Sequence, residues 1–125
     1  MATQTASYPG RAAIEAYGNG GFRFAGMSHR GSILCLAQSI VAWNVTAPEE
    51  LTPASFALVL AEKDLTRSVL LGTGARQVFA SKEVRAAFGD AGIALEVMDT
   101  GAACRTFNVL LGAGRPVAAS LIAVD

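Results

Sequence analysis

Six side chains that could act on a ligand fall within residues 99–108: Asp99, Thr100, Cys104, Arg105, Thr106 and Asn108. If a helix opens here, its first N–H groups are unpaired and its terminus carries about half a positive charge, which suits an anion. Arg105 adds a fork of donors matched to carboxylate or phosphate. Cys104 near such a terminus could be held as a thiolate and act as a nucleophile. That chemistry wants a base, and the single histidine, His29, stands in a distant part of the chain. The same residues also make a helix that needs no ligand. Asp99 or Thr100 caps it, Ala103, Phe107, Leu110 and Leu111 form its buried stripe, and Cys104 is a small apolar filler. Sequence alone leaves both readings open.

The second candidate is Gly72-Thr73-Gly74 in "LLGTGARQ". An apolar run entering paired glycines resembles the start of a phosphate loop. The dinucleotide fingerprint asks for Gly or Ala where Gln77 stands, with a helix opening at once, whereas the next cap here is Ser81. No Gly-Lys-Ser/Thr follows either. The glycines then provide a tight exit from a strand, or let a ligand or partner backbone approach closely. If the strands ending at Leu71 and Met98 are parallel neighbours, both candidates lie where ligands of open α/β sheets bind.

The elements that would position these residues are readable from periodicity. "AIEAY", the turn "GNGG" and "FRFAG" form a hairpin, with Phe22 and Phe24 on one face and Arg23 on the other. "MSHRG" reads as a further turn, and "SILCLA" and "IVAWNV" as two more strands, with Trp43 as a core or hairpin-face anchor. Thr52 and Pro53 open a helix over "LTPASFALVLAEKD" whose inner face is Phe56, Val59 and Leu60, with Lys63 at its margin. "RSVLLG" is a strand buried on both faces. A helix capped by Ser81, the strand "IALEVMD", the helix after Asp99 and the strand "RPVAASLIAV" complete the chain. Arg115, opening that last strand, either pairs with Asp99 or is exposed. Alternating helices and strands predict a parallel or mixed sheet. The expectation is one α/β domain over 13–125, preceded by a disordered tail over 1–12.

The totals exclude several classes. Ten basic and ten acidic residues cancel, so no global field draws in nucleic acid or an anionic membrane. Cys35 and Cys104 form no CxxC pair, and with one histidine there is no zinc set and no disulfide framework. No cofactor or metal is expected. No segment reaches the ~18 apolar residues of a membrane span. "MATQTASYPGRA" lacks the apolar core of a signal peptide and the arginines of a mitochondrial presequence. A cytoplasmic bacterial protein, monomer or homodimer, is expected.

The order "GGFRFAG…GSILCL…VAWNV", "LLGTG", "MDTGAACRTFNVLL" and "GRPVAASLI" resembles the small domain family that contains mitochondrial NADH dehydrogenase (complex I) assembly factor 3. The likeness spans about residues 13–123. It implies a three-layer α/β fold with a mixed central sheet, an extra β layer from the N-terminal hairpins and about three helices. It also implies a non-enzymatic assembly role beside the inner membrane, with subunits of a membrane complex or export machinery as partners. Any shared site should draw on Gly72, Thr73, Gly74, Asp99, Thr100, Cys104, Arg105, Thr106 and Asn108. The alternative is an anion- or small-molecule-binding protein, possessing an enzyme activity or not, that uses the same residues.

Overall fold

The computed structural model describes residues 7–125. The central strands Ser32–Cys35, Ser68–Gly72 and Val117–Leu121 are near-continuous buried runs whose successive residues point to opposite faces, so each has a core on both sides. The strands in chain order are β1 (Ser7–Tyr8), β2 (Ile14–Gly18), β3 (Gly21–Phe24), β4 (Met27–Arg30), β5 (Ser32–Cys35), β6 (Ile40–Trp43), β7 (Ser68–Gly72), β8 (Ala94–Met98) and β9 (Val117–Leu121). The helices are α1 (Ala57–Ala61), α2 (Lys82–Ala91) and α3 (Thr100–Gly112). Six strands form one mixed sheet in the order β1-β6-β5-β9-β7-β8, with β7 parallel to both β8 and β9 and the remaining pairs antiparallel. Strands β2-β3-β4 form a separate antiparallel meander.

On one face of the central sheet, Leu70, Ala119 and Leu121 pack with Phe107 of α3 and Phe22 and Phe24 of the meander. On the other, Val69, Leu71 and Ala118 pack with Phe56, Val84 and Phe88 beneath α1 and α2. The three layers are therefore α1 with α2, the mixed sheet, and α3 with the meander. The extra β layer expected from the hairpins lies on the α3 side.

Three details depart from the sequence reading. "MSHRG" is strand β4 and not a turn; the reversal falls earlier, at Ala25-Gly26, both at positive φ (50° and 73°). That turn lets Met27 pair opposite Phe24 and carries the ladder on to Arg30. The helix after Thr52 is broken into a 3₁₀ turn, Pro53–Phe56, and the short α1. The indole of Trp43 donates to the Ser55 carbonyl at 2.9 Å, which takes that oxygen as an acceptor from outside the helix. Of the expected tail over 1–12, residues 1–6 lie outside the described residues. Residues 7–12 are tied into the fold. Ser7 and Tyr8 pair with Val41 and Ile40, the Tyr8 ring meets Phe24 edge-on at 6.2 Å, and Arg11 donates to the Val117 carbonyl at 2.9 Å. An aromatic anchor and an edge ladder outweigh the polar composition of that segment.

Candidate functional site

Strands β7 and β8 are parallel neighbours in register, with Gly72 opposite Met98. The Gly72–Gly74 exit and the start of α3 therefore meet at the carboxyl end of the sheet. Thr100 locks them together. Its N–H donates to the Gly74 carbonyl at 2.8 Å, its hydroxyl accepts from the Gly74 N–H at 2.9 Å, and the same hydroxyl donates to the Ile122 carbonyl at 2.7 Å. Thr100 is buried, so these bonds are made away from water. Gly72 is glycine because α3 crosses it closely: a Cβ there would stand 2.9 Å from the Thr100 Cα and 3.0 Å from its Oγ1. Gly74 has φ +107°, a conformation L side chains rarely adopt.

Thr73 organises the loop that follows. Its hydroxyl donates to the Arg76 carbonyl at 2.6 Å and accepts from the Val78 N–H at 3.0 Å. Gln77 donates to the Val97 carbonyl of β8 at 2.9 Å. The loop is thus bound down at both ends, yet it presents Val78 and Phe79 to solvent, Phe79 at 87% exposure. The sequence signal for this was available: two apolar residues stood between a strand and a helix cap without a periodic partner.

The remaining motif residues diverge. Asp99 caps α3 by accepting from the Ala102 N–H at 2.8 Å, which already places a carboxylate at that helix terminus. Asn108 clamps β2: its Oδ1 accepts from the Ile14 N–H at 2.8 Å and its Nδ2 donates to the Ile14 carbonyl at 2.9 Å. Arg105 is exposed and lies with the Tyr17 hydroxyl against Gly101. Thr106 is half-buried. An open hollow of about 420 Å³ beside Gly74 is lined by Thr73, Pro48, Ile122 and Val124, with neither Arg105 nor Asn108 on its wall. Arg115 lies between α3 and β9, at the far end of α3 from Asp99, and is exposed, not paired with it.

Cys104 and Cys35 are buried in the same core. Burial pushes the Cys104 thiol up to about 12, with Arg105 opposing. Burial, with a smaller contribution from Cys104, pushes Cys35 up further. Both are therefore neutral thiols at pH 7. His29 sits on β4 opposite Phe22 and contributes to a different hollow. At pH 8 neither thiol of the folded protein should react with a chromogenic disulfide within minutes, and both should react at once in denaturant. Rapid native labelling of one thiol would restore the nucleophile.

Fold and site together define a small three-layer α/β domain whose motif threonines, asparagine and glycines join α3 to the sheet and the meander. The chain belongs to the family described as "Protein of unknown function (DUF498/DUF598)", whose model it matches over residues 14–122. It is 36% identical over 115 residues to mouse NADH dehydrogenase [ubiquinone] 1 alpha subcomplex assembly factor 3, an alignment covering 92% of this chain and 62% of that protein. The chain thus spans about three fifths of that relative's length. It is 34% identical to an uncharacterized Rhodobacter capsulatus protein over 98% of this chain and 93% of the other. Among solved structures it superposes on a Bartonella henselae protein called an outer membrane protein, with a TM-score of 0.91 and 48% identity, covering 94% of this chain and 99% of the other. Among the described residues, no helix is long and apolar enough to cross a membrane.

Proposed function

We propose that this chain is a non-enzymatic assembly and interaction factor that binds a protein partner during biogenesis of an inner-membrane complex such as respiratory NADH dehydrogenase. It works from the cytoplasm at the inner face of that membrane. The observation that carries this reading is the kinship with assembly factor 3, which runs through nearly the whole domain. The physical support is that the motif residues Gly72, Thr73, Gly74, Thr100 and Asn108 commit their close contacts and hydrogen bonds to the fold itself. What the fold leaves over is outward: Phe79 on a bound-down loop, and Arg105 on the exposed side of α3. A large aromatic presented to solvent is the kind of side chain that anchors protein interfaces, because its burial on docking removes much apolar surface from water.

In-cell crosslinking and pull-down tests this. The wild type should capture subunits of a membrane complex or its insertion machinery. Phe79→Glu should weaken that capture on the order of 30-fold, the cost of removing an interface anchor. Its melting temperature should stay within about 1 °C, because the ring packs on little of its own protein. Arg105→Ala should weaken capture to a smaller degree. If the wild type captures no such partner, the reading fails. If Phe79→Glu captures as well as wild type, Phe79 is not the anchor.

A further inference from the structure

An open hollow of about 470 Å³ lies over the β2–β3–β4 meander, lined among others by Gly18, Gly21, Arg23, Ser28 and Arg30. It is hollow because two of its ladder positions have no side chain. Gly21 cannot have one, since a Cβ there would fall on the His29 carbonyl. Arg30 pairs opposite Gly21, and Ser28 opposite Arg23, so all four share the outer face of the sheet. Arg30 and Arg23 are therefore diagonal neighbours across β4 and β3, about 7–8 Å apart, close to the spacing of alternate side chains along an extended chain.

The two cations differ in freedom. Arg23 is aimed by its neighbours: its Nε lies 3.3 Å from Glu15 Oε1 and its Nη1 donates to Ser28 Oγ at 3.2 Å. Glu15 is in turn fixed by the Gly26 N–H at 3.1 Å. Arg30 has no hydrogen-bond or ion-pair partner among the described residues. No acidic residue occurs in the sequence between Glu15 and Glu49, while Glu49, Glu50, Glu62 and Asp64 cluster later in the chain. The meander carries Arg23 and Arg30 against Glu15, an excess of one positive charge that rests on Arg30, and Asp125 follows Val124, whose carbonyl accepts from the Gly20 N–H at 2.7 Å.

We propose that this hollow binds an extended acidic peptide segment of a partner protein, with carboxylates at alternate positions on Arg30 and Arg23. The proposal rests on the interaction reading above and names the chemistry of the partner. Each guanidinium can hold a carboxylate by two parallel hydrogen bonds, and the Gly18–Gly21 floor lets the peptide backbone lie close. Glu15 competes for Arg23, so its removal should tighten binding.

The probe is a fluorescein-labelled heptapeptide of alternating Val and Glu, read by anisotropy at low salt. The wild type should bind with a dissociation constant on the order of 100 μM. Arg30→Glu should weaken it at least about tenfold, the size expected of losing a charge-assisted pair. Glu15→Gln should tighten it, and Arg85→Glu, on α2, should leave it unchanged. The proposal is overturned by any of four results. These are no saturable binding, equal loss in Arg85→Glu, competition by inorganic phosphate at the peptide's own concentration, or a self-association that Arg30→Glu abolishes while peptide binding is absent. The last two outcomes would assign the hollow to a small anion or to a second copy. The two readings fail separately. Partner capture that survives Arg30→Glu removes the groove and leaves the assembly role, whereas a wild type that captures nothing removes the assembly role whatever the peptide does.

Discussion

Thr100→Val should lower the melting temperature by on the order of 10 °C. The substitution nearly preserves shape, so the loss is that of one hydroxyl. That hydroxyl accepts from the Gly74 N–H and donates to the Ile122 carbonyl, both inside the protein. Removing it leaves a donor and an acceptor without partners, at about 1–3 kcal/mol each. The total of about 3 kcal/mol translates into this shift for a chain of this length. Thr100→Ser keeps the hydroxyl and should recover most of the loss. Thermal and urea unfolding of the three proteins would check this. A valine variant within about 2 °C of wild type would mean that the Gly74 and Ile122 groups find other partners, and that α3 is held to the sheet by its apolar face alone.

The same residue shows what the sequence could and could not convey. A cap at Asp99 or Thr100, the α3 span and the strands on either side were legible because each rests on local rules: a short polar acceptor before a helical stripe, and apolar runs between glycines. A parallel or mixed sheet also followed, from the alternation of helix and strand, whereas the pairing of β7 with β8 inside it is shown by the structure. What Thr100 and Asn108 touch was not legible. Thr100 bonds across 26 and 22 residues, and Asn108 across 94. No periodicity within a window encodes a partner so distant, and a polar residue near a helix terminus reads equally as a ligand contact or a staple. The 3₁₀ turn at Pro53–Phe56 failed for a related reason, since Trp43 takes the Ser55 carbonyl from another element. The turn at Ala25-Gly26 was missed because Ala at positive φ is not an expected turn residue.

Asn108→Leu should separate the meander from the rest of the molecule. Strand β2 lies at the edge of its sheet, and the Asn108 amide satisfies both backbone groups of Ile14 as a neighbouring strand would. Leucine is similar in volume and cannot form either bond. The half-buried Ile14 N–H and carbonyl then cost about 2–4 kcal/mol between them. That cost should fall unevenly. The meander also contacts the core through Phe22 and Phe24, but it shares no ladder with the mixed sheet, so it can open without breaking the larger sheet. Hydrogen exchange should therefore accelerate over residues 14–30 by one to two orders of magnitude, on the order of 10- to 100-fold, while amides of β7 and β9 remain protected. Asn108→Asp retains the acceptor for the Ile14 N–H and loses the donor to its carbonyl, so it should fall between the two. Uniform acceleration throughout the chain would show that the meander and the sandwich unfold as one unit. If the local pattern holds, the acidic-peptide hollow depends on Asn108 from the opposite side of the sheet. Asn108→Leu should then weaken peptide binding without altering any residue that lines the hollow, linking the most distant contact in the motif to the surface it supports.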